Sequence, residues 1–165
     1  MQNLTLIPFN LPGKIYRAPM PFGKFDYGRT TLQEMQSLQI NEVITLVEEF
    51  EWFEKANCDL PEKYLESGIR MEHFPVVDFG APDDPVTYRK SILRALDFAQ
   101  SGRNISVHCN AGLGRTGTFL AVMAIEHFGW SPLDAILWIR QFIPGAVENE
   151  TQFSFVMNWE SQKYL

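Results

Sequence analysis

One stretch, residues 105–117 with the sequence ISVHCNAGLGRTG, constrains the fold of this chain more than any other. It begins as a β-branched run typical of a buried strand, and the run stops at a cysteine. A short loop with two glycines follows, and an apolar segment suited to a buried helix comes next. This order of strand, glycine-rich loop and helix predicts an α/β unit whose loop binds an anion at the helix N-terminus.

The loop offers the groups that a tetrahedral oxyanion needs. Gly112 and Gly114 can take unusual backbone dihedral angles, so successive N–H groups can turn inward around a phosphate. The helix begins near Arg115, and its positive end points into the same cradle. The predicted phosphate-binding residues are Asn110, Ala111, Gly112, Leu113, Gly114 and Arg115.

Cys109, at the entrance of the loop, is the predicted nucleophile. A helix N-terminus and a nearby cation favour the thiolate, which is the reactive form of a cysteine. Arg115 follows six positions later, and its planar guanidinium can hold two phosphoryl oxygens at once. Thr116 is expected to place a hydroxyl near the sulfur, and His108 is expected to brace the loop.

The pattern His-Cys, five residues, then Arg-Thr resembles the signature of the cysteine-dependent protein tyrosine phosphatase superfamily. Residues 108–117 are most similar to its compact dual-specificity branch, which includes the cell-division-cycle and kinase-associated phosphatase types. The resemblance implies a protein tyrosine phosphatase-like fold and hydrolysis of phosphoproteins through a phosphocysteine. It implies no metal and no other cofactor.

The order of predicted elements also indicates an α/β fold, with a central, mostly parallel sheet of four to five strands flanked by helices. Strands are predicted at 14–18, as an edge, at 42–47, at 69–77 and in the run that ends at Cys109. A capping box at Thr31 to Glu34 is expected to open the first helix, and residues 48–67 are expected to be irregular with helical turns. Further helices are predicted from Asp84 to Gly102 and over 116–128, 131–142 and 150–164.

Cleavage of a phosphate ester is slow unless an acid protonates the leaving oxygen, so a proton donor is expected elsewhere in the chain. Three aspartates, Asp78, Asp83 and Asp84, lie in the segment VVDFGAPDDP that follows a predicted strand. Asp78 is the preferred acid because it stands at the strand end, and its surroundings resemble the acid loop of the compact dual-specificity group. Asp83 is the alternative, and Asp84 is expected to cap a helix.

The resemblance implies a second step, in which water hydrolyses the phosphocysteine while Asp78 acts as the base. Gln152 stands at a place comparable to a glutamine that positions this water in some relatives. It also fits a capping-box variant with Asn149 at the start of the last helix. Both roles of Gln152 stay open.

Loop residues 110–114 carry no charge, whereas relatives that favour inositol phospholipids often have lysines there. This favours a monophosphate ester, with phosphotyrosine ahead of phosphoserine or phosphothreonine. Phe79, with Phe22 as a second candidate, is expected to form an aromatic wall beside the pocket, and ordinary packing is the alternative for both. A phosphoinositide phosphatase stays an alternative function.

The 165 residues, 45% of them hydrophobic, suit one phosphatase domain over residues 1–165. The formal net charge of −6 disfavours nucleic acid and acidic membranes as partners. No apolar run reaches spanning length, and the N-terminus lacks the pattern of a secretory signal. We therefore expect a cytoplasmic monomer whose active loop takes a phosphoprotein, or phosphate, sulfate or vanadate.

Two rival functions fit parts of the same pattern. A phosphoprotein-binding module without catalysis would keep the cradle, but the joint presence of Cys109, Arg115 and Asp78 argues against it. A rhodanese-type sulfurtransferase also carries a cysteine before a helix, yet it has no use for the upstream acid. Cys58 is expected to be an ordinary packed cysteine, and a protective disulfide with Cys109, as in some relatives, is the less favoured alternative.

Overall fold

A computed structural model of the protein describes residues 2–160. Its centre is a five-stranded sheet with the strand order β1-β2-β5-β3-β4. The strands are β1 (Thr5–Ile7), β2 (Ile15–Ala18), β3 (Ile40–Thr45), β4 (Arg70–His73) and β5 (Asn104–His108). Strands β2, β5, β3 and β4 run parallel, while β1 pairs antiparallel with β2. The predicted mostly parallel sheet is confirmed.

Seven α-helices flank the sheet within the described part of the chain. They are α1 (Thr31–Ser37), α2 (Glu49–Lys55), α3 (Leu60–Glu66), α4 (Pro85–Gln100), α5 (Gly114–Phe128), α6 (Pro132–Phe142) and α7 (Glu150–Met157). Helix α5 packs against α4, α6, α7 and β5. Every residue from Gly114 to Glu126 is buried, so the helix whose N-terminus meets the glycine-rich loop belongs to the core.

The sheet differs from the prediction at both ends. Strand β1 had no predicted counterpart, and because it pairs with β2, the predicted edge strand at 14–18 lies inside the sheet. The strand predicted at 69–77 ends at His73. Beyond it, the N–H groups of Phe74 and Val76 still donate to carbonyls at the end of β3, so the chain follows that strand in an irregular path.

Residues 48–67, expected to be irregular, form α2 and α3, so that expectation was wrong. Helix α2 begins with a reciprocal capping box in which the side chains of Glu48 and Glu51 each bind the backbone N–H of the other. Helix α3 begins at Asp59, whose carboxylate accepts from the N–H of Glu62. Each helix is seven residues long, which leaves little room for a visible apolar period.

The capping box predicted at Thr31 to Glu34 was also wrong. Thr30 is the N-cap of α1, and Thr31 donates from N and Oγ1 to Oδ1 of Asp26 at 3.0 and 2.6 Å. The carboxylate of Glu34 accepts from the N–H of Asn3, 31 residues away. The polar groups of Thr31 and Glu34 that would close the box bind Asp26 and Asn3 instead.

Three of the four other predicted helix starts are confirmed by side chains that accept backbone hydrogen bonds. Asp84 caps α4, Ser131 caps α6 and Asn149 caps α7. Helix α7 stops at Met157, short of the predicted end at 164, because residues 158–160 are not helical. Residues 161–164 of that prediction lie outside the described residues.

Candidate active site

Cys109 follows directly after β5, a central strand of the sheet, and the loop after it leads into α5. A pocket of about 190 Å³ opens at this carboxyl end of the parallel strands, where ligands commonly bind in such sheets. Its lining residues are Phe25, Asp78, Phe79, Cys109, Asn110, Ala111, Leu113, Gly114, Arg115 and Glu148. The predicted nucleophile, most of the loop, the arginine and the acid therefore meet in one pocket.

Gly112 holds the sharpest bend of the loop. Its φ is +78°, and a Cβ atom added there would lie 2.4 Å from the carbonyl oxygen of Ala18 at the end of β2. Beside this contact, the N–H of Met20 donates to the carbonyl of Asn110 at 3.0 Å. The loop thus lies so close to the chain after β2 that a side chain at position 112 has no space.

His108, for which a bracing role is predicted, has hydrogen-bond partners at both ring nitrogens. Its Nδ1 lies 2.8 Å from the carbonyl oxygen of Cys109, and its Nε2 lies 2.8 Å from the Tyr64 hydroxyl and 3.0 Å from that of Thr45. Burial lowers the pKa of His108 to about 4, so the ring is neutral at physiological pH. Because a carbonyl can only accept, Nδ1 carries the hydrogen and Nε2 accepts.

Thr116 lies in the first turn of α5, fully buried. Its hydroxyl has no hydrogen-bond partner among residues 2–160, so the expected hydrogen bond to the sulfur of Cys109 is not seen. The Oδ1 atom of Asn110, in the loop itself, is likewise buried without a partner in that part of the chain. The catalytic role of Thr116 stays a prediction.

Arg115 is held by a carboxylate that sequence reasoning did not find. Its Nη1 and Nη2 donate to the two oxygens of Glu51 at 2.7 and 2.9 Å, and Nη1 also donates to the carbonyl of Val76 at 2.9 Å. Burial alone would raise the pKa of Glu51, but hydrogen bonds from Arg115, Lys55 and the Glu48 backbone lower it to about 2. The guanidinium is therefore fixed in orientation by a partner that is ionised at physiological pH.

Asp78, in the loop between β4 and α4, reaches the same arginine. Its Oδ1 lies 3.0 Å from Nη2 of Arg115, and its Oδ2 lies 3.3 Å from Nζ of Lys55. Lys55 in turn contacts Glu51 at 2.9 Å, which closes a network of two cations and two carboxylates. No acceptor within residues 2–160 binds Nε of Arg115, which leaves one N–H of the guanidinium for a ligand.

The neighbouring aspartates have other positions. Asp83 is exposed and does not line the pocket. Asp84 accepts hydrogen bonds from the N–H groups of Val86 and Thr87 at 3.0 and 3.2 Å, as expected of an N-cap. Of the three candidate acids, Asp78 is the one that lies in the pocket with the cysteine.

Gln152 lies behind the pocket rather than on its lining. Its side chain is buried, accepts from the N–H of Glu148 at 3.0 Å and donates to the carbonyl of Gly80 at 3.3 Å. Its own N–H donates to the Asn149 cap, so only half of the predicted capping box forms. Glu148 is the residue of this segment that lines the pocket, and burial followed by the nearby Asp78 raises its pKa.

The aromatic wall consists of two phenylalanines on opposite segments of the chain. Phe79, as predicted, lines the pocket and is 64% exposed. Its counterpart is Phe25, 39% exposed, and not Phe22, which packs against the core. Phe22 itself has a φ of 64°.

Comparison with known families decides the classification of the chain. A family model described as "Tc-R-P: Polymorphic toxin system, DSP-PTPase phosphatase" matches residues 22–129, which include both the Asp78 loop and the Cys109 loop. The chain belongs to this DSP-PTPase phosphatase family. The resemblance seen in the signature residues is thereby confirmed.

Curated relatives of this DSP-PTPase match a little over half of the chain. The "Protein tyrosine phosphatase domain-containing protein 1" of Danio rerio is 33% identical over 92 residues, 56% of the chain and 13% of the relative. The human "Dual specificity protein phosphatase CDC14C" is 31% identical over 101 residues, 61% of the chain and 22% of the relative. The "Probable protein tyrosine phosphatase type IVA A" of Dictyostelium discoideum is 35% identical over 97 residues, 58% and 57% respectively. The chain therefore matches less than a quarter of the first two relatives.

Solved structures show the same fold. A kinase associated phosphatase with its catalytic cysteine replaced by serine superposes with a TM-score of 0.83 at 21% identity, covering 93% of this chain and 90% of that one. Tk-PTP in its active form superposes with a TM-score of 0.73 at 25% identity, covering 91% and 92%. These likenesses confirm the protein tyrosine phosphatase-like architecture of the DSP-PTPase.

The residues missed at the sequence level are those that reach the pocket from distant segments. Glu51 and Lys55 are four apart on α2, a spacing that predicts a surface ion pair and gives no sign of Arg115. Phe25 and Glu148 lie in loops whose paths depend on tertiary contacts. Even a correct helix prediction at 49–55 would have favoured Phe50 and Phe53 for the buried face, whereas both are about half exposed and Glu51 is buried.

Two further properties of the DSP-PTPase concern metals and membranes. Within residues 2–160, no group of three or more His, Cys, Asp or Glu side chains could hold a metal ion. Among the helices of that same range, none combines the length and the apolar character needed to cross a bilayer.

Proposed function

We propose that this DSP-PTPase is a phosphoprotein phosphatase that favours phosphotyrosine and also accepts phosphoserine and phosphothreonine. The observation that carries this proposal is the meeting of Cys109, the Glu51-bound Arg115 and Asp78 in one pocket. Each of these groups has a separate task in transfer of a phosphoryl group to sulfur. A module that only binds phosphate needs no acid.

In the first step, the Cys109 sulfur attacks the phosphorus atom, and the bond from phosphorus to the ester oxygen breaks. Asp78 gives its proton to that oxygen, which leaves as an alcohol or phenol. In the second step, a water molecule attacks the phosphocysteine, the bond between phosphorus and sulfur breaks, and the Asp78 carboxylate takes the proton of the water. Inorganic phosphate and the Cys109 thiolate are regenerated.

The loop and Arg115 stabilise charge on the equatorial oxygens in both steps, which is where electrostatic catalysis contributes most. Nε of Arg115 is available to a phosphoryl oxygen, while Glu51 keeps the plane of the guanidinium in place. A bound phosphoryl group also competes with Asp78 for Nη2. Substrate binding thus loosens the ion pair that holds Asp78 and frees this carboxyl for the leaving oxygen.

The rim of the pocket supports an aromatic monophosphate. Phe25 and Phe79 present exposed ring surface on which a phosphotyrosine ring can pack. The loop residues between Cys109 and Arg115 carry no cation, and Asp78 and Glu148 add negative charge beside them. Substrates with several phosphates, nucleic acid and acidic membrane surfaces are therefore disfavoured.

We also propose a cytoplasmic location and a monomeric active unit. A thiolate nucleophile needs a reducing compartment, and Cys109, Arg115 and Asp78 of a single chain are sufficient for the proposed reaction. Cys58 and Cys109 are both unpaired. Burial raises the pKa of the Cys58 thiol, which favours its less reactive protonated form.

Hydrolysis of p-nitrophenyl phosphate in the presence of a chelator tests the reaction. Wild-type protein should turn over and be inhibited by vanadate, and Cys109→Ser should be inactive. Turnover that survives Cys109→Ser would reject the mechanism. Phosphopeptide binding without turnover by the wild type would instead support the binding module. A matched set of phosphotyrosine, phosphoserine and phosphoinositide substrates then tests the preference, and faster release of phosphate from the phosphoinositide would overturn it.

A further inference from the structure

We propose that Arg17 is a positioning residue that aims the backbone N–H groups of the phosphate loop into the pocket. This inference rests on the proposed phosphatase function and deepens it. Arg17 lies on β2, beside Val107 of β5, and is half-buried. It is not part of the pocket lining, and the sequence alone predicts no role for it in the site.

The guanidinium of Arg17 donates to three backbone carbonyls. Its Nε binds the oxygen of Gly112 at 3.1 Å, and its Nη2 binds that of Ala111 at 2.9 Å. Its Nη1 binds the oxygen of Asn3 at 3.0 Å. All three nitrogens are thus used, in a planar fork that the single ammonium of lysine cannot reproduce.

These contacts set the direction of two peptide groups. In a planar trans peptide, the carbonyl of one residue and the N–H of the next point in opposite directions. Because Arg17 lies outside the pocket, the carbonyls of Ala111 and Gly112 that it binds point away from the pocket. The N–H groups of Gly112 and Leu113 must then point toward the side on which a phosphoryl group binds.

The guanidinium of Arg17 packs closely against the phosphate loop. A Cβ atom at Gly112 would lie 3.0 Å from Nη2 of Arg17, so guanidinium and loop are in close contact. Burial lowers the pKa of Arg17, and attraction to Cys109 opposes that effect, which places the cation within electrostatic range of the sulfur. Arg17 therefore has two separable properties, its charge and its hydrogen-bonding geometry.

The third contact connects the loop to the N-terminal segment. Asn3 is buried, and its side chain accepts from the N–H of Tyr27 at 3.0 Å and donates to the Tyr27 carbonyl at 3.0 Å. Tyr27 lies two residues after Phe25, which lines the pocket. Asn3 thus binds both Arg17, which contacts the phosphate loop, and the segment that carries Phe25, one side of the aromatic wall.

The test compares Arg17→Lys, which keeps the charge, with Arg17→Met, which removes it. Removal of an aligned backbone donor from an oxyanion site costs about a hundredfold in rate, so we expect kcat/KM for p-nitrophenyl phosphate to fall by about tenfold to a hundredfold in both variants. The Kd of vanadate, measured by calorimetry, should rise about tenfold or more. Both quantities are measured at a temperature well below the melting temperature of each variant. If Arg17→Met does not fold, Arg17→Lys alone tests the inference.

Arg89→Lys is the matched control. Arg89 is also partly buried and forms an ion pair with Glu126 at 3.3 Å, but it has no contact with the phosphate loop. This control should lower the melting temperature without changing the Kd of vanadate. Wild-type vanadate affinity in Arg17→Lys would overturn the inference, as it would show that charge suffices. If wild-type protein binds vanadate but hydrolyses nothing, the proposed function fails, while the effect of Arg17 on binding is still measurable.

Discussion

Glu51 accepts two parallel hydrogen bonds from Arg115, although the two residues lie 64 positions apart in the chain. Both side chains are almost fully buried, and Lys55 bridges Glu51 to Asp78. This relationship makes α2 a part of the active site. The short helix fixes the phosphate-binding arginine, and through Lys55 it also contacts the candidate acid.

Replacing Glu51 with Gln should destabilise the protein and impair it. The variant removes the buried counter-charge of Arg115 and leaves only the more exposed Asp78 beside it, and the loss of a buried ionic partner costs about 3 kcal/mol in proteins. We expect the free energy of unfolding at pH 7, measured with urea, to fall by about that amount. The kcat/KM for p-nitrophenyl phosphate should fall by about a hundredfold, because the guanidinium loses its orientation.

The difference in unfolding free energy between wild type and Glu51→Gln should depend on pH. The pKa of Glu51 is lowered from 4.5 to about 2, so its stabilising contribution is complete above pH 4.5 and is lost as the pH falls toward 2. The difference in unfolding free energy between wild type and Glu51→Gln should therefore shrink below pH 4.5. A difference that stays constant from pH 7 to pH 3 would contradict the assigned ion pair.

Asp78→Asn should reduce turnover most for esters with poor leaving groups. Without an acid, phenyl phosphate must expel a strongly basic phenolate, whereas p-nitrophenyl phosphate expels a weakly basic one. We expect kcat to fall by about 10²-fold or more for phenyl phosphate and by much less for p-nitrophenyl phosphate. Asp83→Asn, nearby and exposed, is the control and should leave both rates unchanged. Equal losses for both esters in Asp78→Asn would argue for another role of Asp78.

Removing either phenylalanine of the aromatic wall should weaken the preference for phosphotyrosine. Phe25→Ala or Phe79→Ala takes away the ring surface on which the substrate ring packs, a contact of about 1 kcal/mol. The KM for a phosphotyrosine peptide should rise by about fivefold, with little change for the corresponding phosphoserine peptide. Phe53→Ala supplies the control, since that phenylalanine is 48% exposed and lies outside the pocket lining. A parallel rise for both peptides would mean that the rings serve packing and not recognition.

Glu42→Gln should stabilise the protein at neutral pH. Glu42, on β3, is buried, and its Oε2 has no hydrogen-bond partner among residues 2–160. Burial, with a smaller contribution from Glu72, raises its pKa against the opposing effect of three arginines. The folded state therefore prefers the protonated form, and wild-type stability falls as pH rises from the unfolded to the folded pKa. The gain in the variant should be on the order of 1 kcal/mol at pH 8 and vanish near pH 4.

Melting curves of wild type and Glu42→Gln at the two pH values measure this gain. Glu62→Gln, an exposed substitution on α3, should show no such pH-dependent difference. Equal melting temperatures for wild type and Glu42→Gln at pH 8 would show that the Glu42 carboxylate is well solvated in the folded protein.

The features that sequence reasoning predicted correctly are those in which neighbouring residues cooperate. Strand β5, the loop after Cys109 and the start of α5 lie within 15 residues, and each supports the interpretation of the next. Strand β1 was missed because a three-residue strand exists only through its pairing with β2. Thr31 was misjudged because its hydroxyl binds Asp26 rather than the helix. Glu51 and Arg17 contact the site across 64 and 95 residues, distances over which no local pattern carries information.

Helix α5 is covered on every side from Gly114 to Glu126. The helix end that forms one side of the cradle is therefore held in place by the core. Residues 77–82 are held less firmly, since they are exposed or half-buried and are fastened by polar contacts such as those from Asn149 to Phe79 and from Gln152 to Gly80. We therefore expect any rearrangement that accompanies substrate binding to involve the segment that carries Asp78 more than the rigid helix end on which the phosphate is bound.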